Sequence, residues 1–187
     1  GQMFLLTPPD TDLQRISYTV ARTISDYINR KNGRCEVFLS PFAVFLNKDD
    51  YNYVEPDISI ICDREKINDK GCNGAPDWII EITSSPAPQR DYGIKLFKYH
   101  AAGVREYWII NPQKKAVIVF DFEKQRFSNQ YCWNDDIPVC IYKDLVINLE
   151  KLLSQKPHSK LTGHQTCTPA KLTFAAFVKW MLRVPSA

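Results

Sequence analysis

Residues 78–110 contain a strand, a helix and a second strand, with the lengths of a βαβ crossover. Trp78-Ile79-Ile80-Glu81-Ile82-Thr83 follows Pro76 as an apolar β-type run. Residues 89–102 read as a helix closed by Gly103 just past its end, where a left-handed residue ends many helices. Glu106–Ile110 returns to β-type sequence. Parallel strands need a crossover of this kind, so part of the central sheet is expected to be parallel.

The flanking segments fit the same plan. A helix is predicted over 11–30, where Thr11 and Gln14 have capping-box spacing. Leu13, Ile16, Val20, Ile24, Tyr27 and Ile28 recur there at helical intervals, and Asn32-Gly33 stops it. Strands are predicted at 35–39, 42–46, 57–62 and 116–122, with further strand-like sequence at 137–149. Residues 63–75 read as a polar, glycine-bearing loop, and 84–88 as another. Beyond a polar stretch at 154–167, Thr168-Pro169 looks like the start of a last helix reaching 182, with Phe174, Phe177, Val178 and Met181 as its apolar stripe. The expectation is a mixed α/β (α+β) fold, a central mixed sheet flanked by helices. One domain would cover 1–153, and 154–187 would be a C-terminal extension packing on that domain or on a partner subunit.

Composition narrows the class without naming a function. With 44% hydrophobic and 24% charged residues over 187 positions, the chain can bury one core. No apolar run is long enough to span a bilayer, and residues 1–6 lack the pattern of a signal peptide. The six cysteines, at 35, 62, 72, 132, 140 and 167, show no CxxC spacing. They are expected to be small buried thiols of a cytoplasmic protein. A net charge of +3 permits a polyanion partner but does not demand one.

The chemistry lies in carboxylates within apolar strands. Side chains alternate along a strand, so Asp77, Ile79, Glu81 and Thr83 share one face. Glu81 is then a carboxylate inside a hydrophobic run, costly unless something pairs with it. Asp57 likewise heads Ile58-Ser59-Ile60-Ile61. Two such carboxylates either form structural hydrogen bonds or hold a hard cation such as Mg2+ or Mn2+. A cation there would make a water acidic enough to attack a phosphodiester, and a fixed positive charge would complete the site. Asp91, Lys95 and Tyr99 lie along one face of the following helix. Lys95 is that positive charge, or half of an exposed ion pair with Asp91. Asp91 itself is a site residue, or a charge favoured by the helix dipole.

The runs Glu55-Pro56-Asp57-Ile58-Ser59-Ile60, Gly74-Ala75-Pro76-Asp77-Trp78-Ile79-Ile80-Glu81-Ile82-Thr83-Ser84, Asp91–Tyr99 and Gly103–Pro112 together resemble the Uma-two family of restriction endonucleases, part of the PD-(D/E)xK superfamily. The resemblance in element order covers about 11–153, and its specific motifs lie between 55 and 112. It implies a restriction-endonuclease-like fold and divalent-metal-dependent cleavage of DNA. Asp57 and Glu81 would be the metal-binding motif acids, with the backbone carbonyl of Ile82 as a further ligand. Lys95 would be the catalytic lysine, supplied from the helix. Thr83 stands where the superfamily usually has that lysine, two residues after the glutamate. No acid of the first helix matches the usual additional position, and Gln14 is the nearest polar candidate.

Asp77 does not fit the same metal as Glu81. Four residues along a regular strand is about 13 Å, whereas ligands sit ~2.0–2.6 Å from an ion. Asp77 is expected at the start of the strand or in a supporting role. Tyr107, Trp108, Phe174, Phe177 and Trp180 read as core residues rather than base-stacking platforms. The leading expectation is an endonuclease that uses direct water attack, acting as a homodimer because two strands must be cut. The alternative is a nuclease fold that binds nucleic acid or protein without catalysis.

Overall fold

The computed structural model describes residues 11–47, 53–83, 89–124, 128–154 and 171–172. In chain order the elements are α1 (Thr11–Arg30), β1 (Glu36–Leu39), β2 (Val44–Phe45), β3 (Ile58–Ile61), a one-turn 3-10 helix (Arg64–Lys66), β4 (Ile67–Asn68) and β5 (Gly71–Asn73). They continue with β6 (Trp78–Ile82), α2 (Gln89–Ala102), β7 (Glu106–Asn111), β8 (Ala116–Asp121), β9 (Ser128–Cys132), β10 (Ile137–Pro138), β11 (Val146–Ile147), α3 (Leu149–Ser154) and β12 (Lys171–Leu172).

Seven strands form one sheet in the order β1-β3-β6-β7-β8-β9-β12. Only β6 and β7, joined through α2, pair in parallel within it; the other neighbours are antiparallel. The sheet is therefore mixed, as the crossover requires. Strand alternation supplies each face with its own core. Ile58, Ile60, Trp78, Ile80, Ile82, Trp108 and Ile110 face Ile16, Val20, Ile24 and Ile28 of α1. Ile79, Tyr107, Ile109 and Phe120 face Leu96 and Tyr99 of α2. The conflict posed by Glu81 is resolved by this division, because α2 covers the face on which it stands.

Several sequence expectations change. The stretch at 63–75 is not a plain loop. Asp63 caps the 3-10 turn by accepting a hydrogen bond from the Glu65 amide, and β4 and β5 form a small hairpin beside β2. Gly71 is obligatory there: its φ is 138°, and a Cβ would lie 2.1 Å from the Ala43 carbonyl. Strand β9 was not anticipated, since Ser-Asn-Gln-Tyr-Cys lacks an apolar alternation. The strand-like segment at 137–149 reduces to two short strands followed by α3. Asn148 starts α3 by accepting from the Lys151 amide at 3.0 Å. In the C-terminal extension, Lys171 and Leu172 pair with Asn129 and Ser128 of β9. The helix expected from Thr168 thus does not run through these two residues, and the rest of it lies outside the described residues, as does the loop at 84–88.

The cysteine reading is corrected as well. Cys35 and Cys62 are joined in a disulfide, and Cys132 is also disulfide-bonded. Cys72 and Cys140 are free. The β1–β3 register pairs Glu36 with Ile61, so the next step sets Cys35 opposite Cys62. Cysteines 27 positions apart become neighbours by strand pairing, which local spacing cannot reveal. Cysteine usage therefore gives no support for a reducing compartment. No helix among the described residues is long and apolar enough to cross a membrane.

Candidate active site

Strands β3 and β6 pair with Ile58 opposite Ile80. One step further along this antiparallel register, Asp57 faces Glu81. Both side chains belong to the face covered by α2, since Glu81 follows Ile79 by two positions. Lys95 and Tyr99, one helical turn apart on α2, reach down to the same carboxylate. Lys95 Nζ lies 2.9 Å from Glu81 Oε2, and the Tyr99 hydroxyl donates to Oε1 at 2.7 Å. Glu81 is buried, whereas the Lys95 side chain retains 43% exposure. The lysine thus connects a buried acid to solvent.

Asp57 is held differently. Its Oδ2 accepts the Ile82 amide hydrogen at 2.6 Å. Burial pushes the Asp57 carboxyl up to about 6, opposed by the Ile82 hydrogen bond; the negative charge of Glu81 raises it further and Lys95 lowers it. Burial, followed by the Glu81 carboxylate, raises the Tyr99 phenol far above its ordinary value. Tyr99 therefore remains a neutral donor.

The donor set fits a hard divalent cation of the kind that keeps most of its waters. Mg2+ is commonly held by one or two carboxylates, and Asp57 and Glu81 supply two. Among the described residues no group of three or more His, Cys, Asp or Glu side chains could hold a metal, so the fit rests on these two carboxylates. Both Glu81 oxygens are engaged, yet a carboxylate has about four lone-pair sites and can accept more. Two orphaned hydroxyls add to the fit. Ser59 Oγ and Thr83 Oγ1, each two residues past a site acid, are buried without a hydrogen-bond partner. Such groups cost ~1–3 kcal/mol each when left unmade, and waters on a bound cation are suitable partners. Sequence reasoning missed Ser59, although its place two residues after Asp57 was the available signal.

Other candidates lie elsewhere. Asp77 accepts from the Cys62 amide at 2.8 Å and from Arg105 Nη1 at 3.0 Å at the start of β6. This is the strand-start position expected of it, separate from Glu81. Gln14 is exposed on α1, which packs on the opposite sheet face. Asp91 lies in the first turn of α2, and its side chain is outside the described residues. Thr83 ends the β6 run with its amide bonded to the Ile110 carbonyl at 2.9 Å.

Comparison with known proteins agrees with this architecture. The crystal structure of a "putative nuclease belonging to DUF820" from Anabaena variabilis ATCC 29413 superposes with a TM-score of 0.64 at 20% identity, covering 82% of this chain and 87% of that one. At that identity the likeness establishes the fold. No curated protein matches the chain. The profile of the Uma2 family, described as "putative restriction endonuclease", matches residues 1–135. A match across most of the chain, on the segment that holds both strand acids and α2, makes this protein a member of the Uma2 family.

Proposed function

We propose that the protein is a divalent-metal-dependent endonuclease hydrolysing phosphodiester bonds in DNA. The observation that carries this reading is the convergence of Asp57, Glu81, Lys95 and Tyr99 at one point of the sheet. Asp57 and Glu81, with the Ile82 carbonyl, would hold Mg2+ or Mn2+. When bound, that cation supplies the Lewis acidity that lets water attack a phosphodiester at neutral pH. Tyr99 keeps Glu81 oriented. The Lys95 ammonium, already positioned and partly exposed, offsets charge gathering on the scissile phosphate. The Ile82 amide fixes Asp57.

Plasmid cleavage with Mg2+ or Mn2+ tests the assignment, comparing wild type with Asp57→Ala and Glu81→Ala. Equal activity in all three would sink it. A second reading, a nuclease fold that binds without cutting, draws on Thr83 at the usual lysine position and on the engagement of Lys95 by Glu81. Calorimetric titration with Mn2+ separates the two: a stoichiometric site lost in Glu81→Ala counts against the second. Cutting both strands of a duplex calls for two such sites, so a homodimer is proposed. A monomer by light scattering at micromolar concentration would contradict it. The pairing of β12 with β9 supports reading 154–187 as an extension of the same domain.

A further inference from the structure

Residues of α2, with Leu46, Asn47, Tyr53 and Val54, line an open cleft of about 360 Å³, a volume in the range of small-ligand sites. Its walls carry two aromatic rings from separate elements, Phe97 and Tyr53. Both are well exposed, 71% and 56% respectively, although burial is the ordinary fate of large apolar side chains. Leu46 and Val54 line the cleft and also pack against the core beneath α2. Asn47 and Lys98 supply the polar groups. Among the described residues no carboxylate lines the cleft, and Lys98 has no ion pair.

The position matters as much as the lining. Lys98 follows Lys95 by three residues, which puts the two ammonium groups on adjacent parts of the helix surface. Val54 precedes Asp57 by three residues. Cleft and acids therefore share α2 and the chain that enters β3, about three extended residues or 10 Å apart, within reach of one nucleic-acid strand.

We propose that this cleft binds an unpaired nucleobase of the nucleic-acid strand next to the scissile phosphate. Aromatic faces accept any base by stacking, the Asn47 amide offers a donor and an acceptor to a base edge, and Lys98 meets the adjoining phosphate. An aromatic ligand that carries a negative charge matches the two exposed rings and the lysine that line the cleft among the described residues. The inference rests on the nuclease reading and deepens it: within the DNA substrate, the nucleotide next to the cut is unpaired.

The test is fluorescence anisotropy of a labelled oligothymidylate and of a duplex of equal length, with the full chain in EDTA so that nothing is cut. The single strand should bind more tightly than the duplex. Phe97→Ala and Tyr53→Ala should each weaken single-strand binding about tenfold, while Phe97→Trp retains it. Lys98→Ala should reduce the salt slope by about 0.7. Unchanged single-strand affinity in Phe97→Ala, or an equal loss for both nucleic acids, overturns the proposal. It is likewise overturned if Phe97→Ala breaks a dimer seen by light scattering and leaves oligonucleotide affinity intact, for the cleft then belongs to a second copy. Mn2+ titration of the same variants keeps the two ideas apart. Wild type without a Mn2+ site refutes the nuclease reading, whereas a normal Mn2+ site with unaltered oligonucleotide binding in Phe97→Ala refutes only the base site.

Discussion

The Tyr99 hydroxyl donates to Glu81 Oε1 at 2.7 Å, from a side chain that is itself fully buried. With Lys95 on the other oxygen, this leaves Glu81 little rotational freedom. A hydrogen bond to a charged group contributes about 1.5–3 kcal/mol. Partners behind a metal ligand typically affect metal affinity 10–100-fold. Tyr99→Phe should therefore lower unfolding stability by about 1.5–3 kcal/mol in urea. It should also weaken Mn2+ binding by at least about tenfold, with the sheet retained by circular dichroism. Unaltered Mn2+ affinity would show that Glu81 does not need this support.

Lys95 and Thr83 permit a rescue experiment. Both point to the Glu81 face, one from α2 and the other from the end of β6. If the ammonium acts on the substrate, Lys95→Ala should reduce the cleavage rate by about 10²–10³, the range for losing one preorganised electrostatic group. Thr83→Lys, added to Lys95→Ala, restores an ammonium at the superfamily's more usual position. The double variant should recover at least part of the lost rate in a plasmid nicking assay. Recovery would assign Lys95 a chemical role, because a purely structural partner of Glu81 cannot be replaced from a different backbone position.

The grouping of Glu81, Lys95 and Tyr99 was readable from strand and helix periodicity, and the reasons are local. Alternation along 77–83 placed Glu81 on one face, and the i, i+4 spacing of Lys95 and Tyr99 placed both on one side of α2. What escaped was long-range pairing. The Cys35–Cys62 bond depends on β1 lying antiparallel to β3, and β9 is recruited to the sheet by β8 despite its polar sequence. The position of Gln14 escaped for a similar reason: its place in the chain says nothing about which sheet face α1 covers.

Glu106 offers a pH prediction separate from Asp57 and Glu81. It is fully buried on β7 and accepts hydrogen bonds from the Trp108 indole at 2.6 Å and the Ile141 amide at 2.9 Å. Burial raises its pKa despite these donors. A carboxyl with a raised folded-state value binds more protons in the folded than in the unfolded protein above pH ~4.5, so its contribution to stability falls as pH rises through that window. Glu106→Gln should remove this component. The urea midpoint of wild type should drop relative to that of Glu106→Gln between acid and neutral pH. Parallel midpoints across the range would contradict the assignment.

The Cys35–Cys62 disulfide ties β1, the edge strand, to β3, whose opposite end leads back to Asp57. It closes a segment of 27 positions, and chain-entropy reasoning puts the stabilisation from such a loop at about 3.5 kcal/mol. Cys35→Ser with Cys62→Ser should lower stability by about that amount and abolish the Cys35–Cys62 component of the melting-temperature loss caused by dithiothreitol. Because Asp57 is separately anchored by the Ile82 amide at 2.6 Å, Mn2+ affinity should change little. A large loss of Mn2+ binding in the double variant, with the fold intact, would instead make the disulfide a determinant of the site through the β3 backbone.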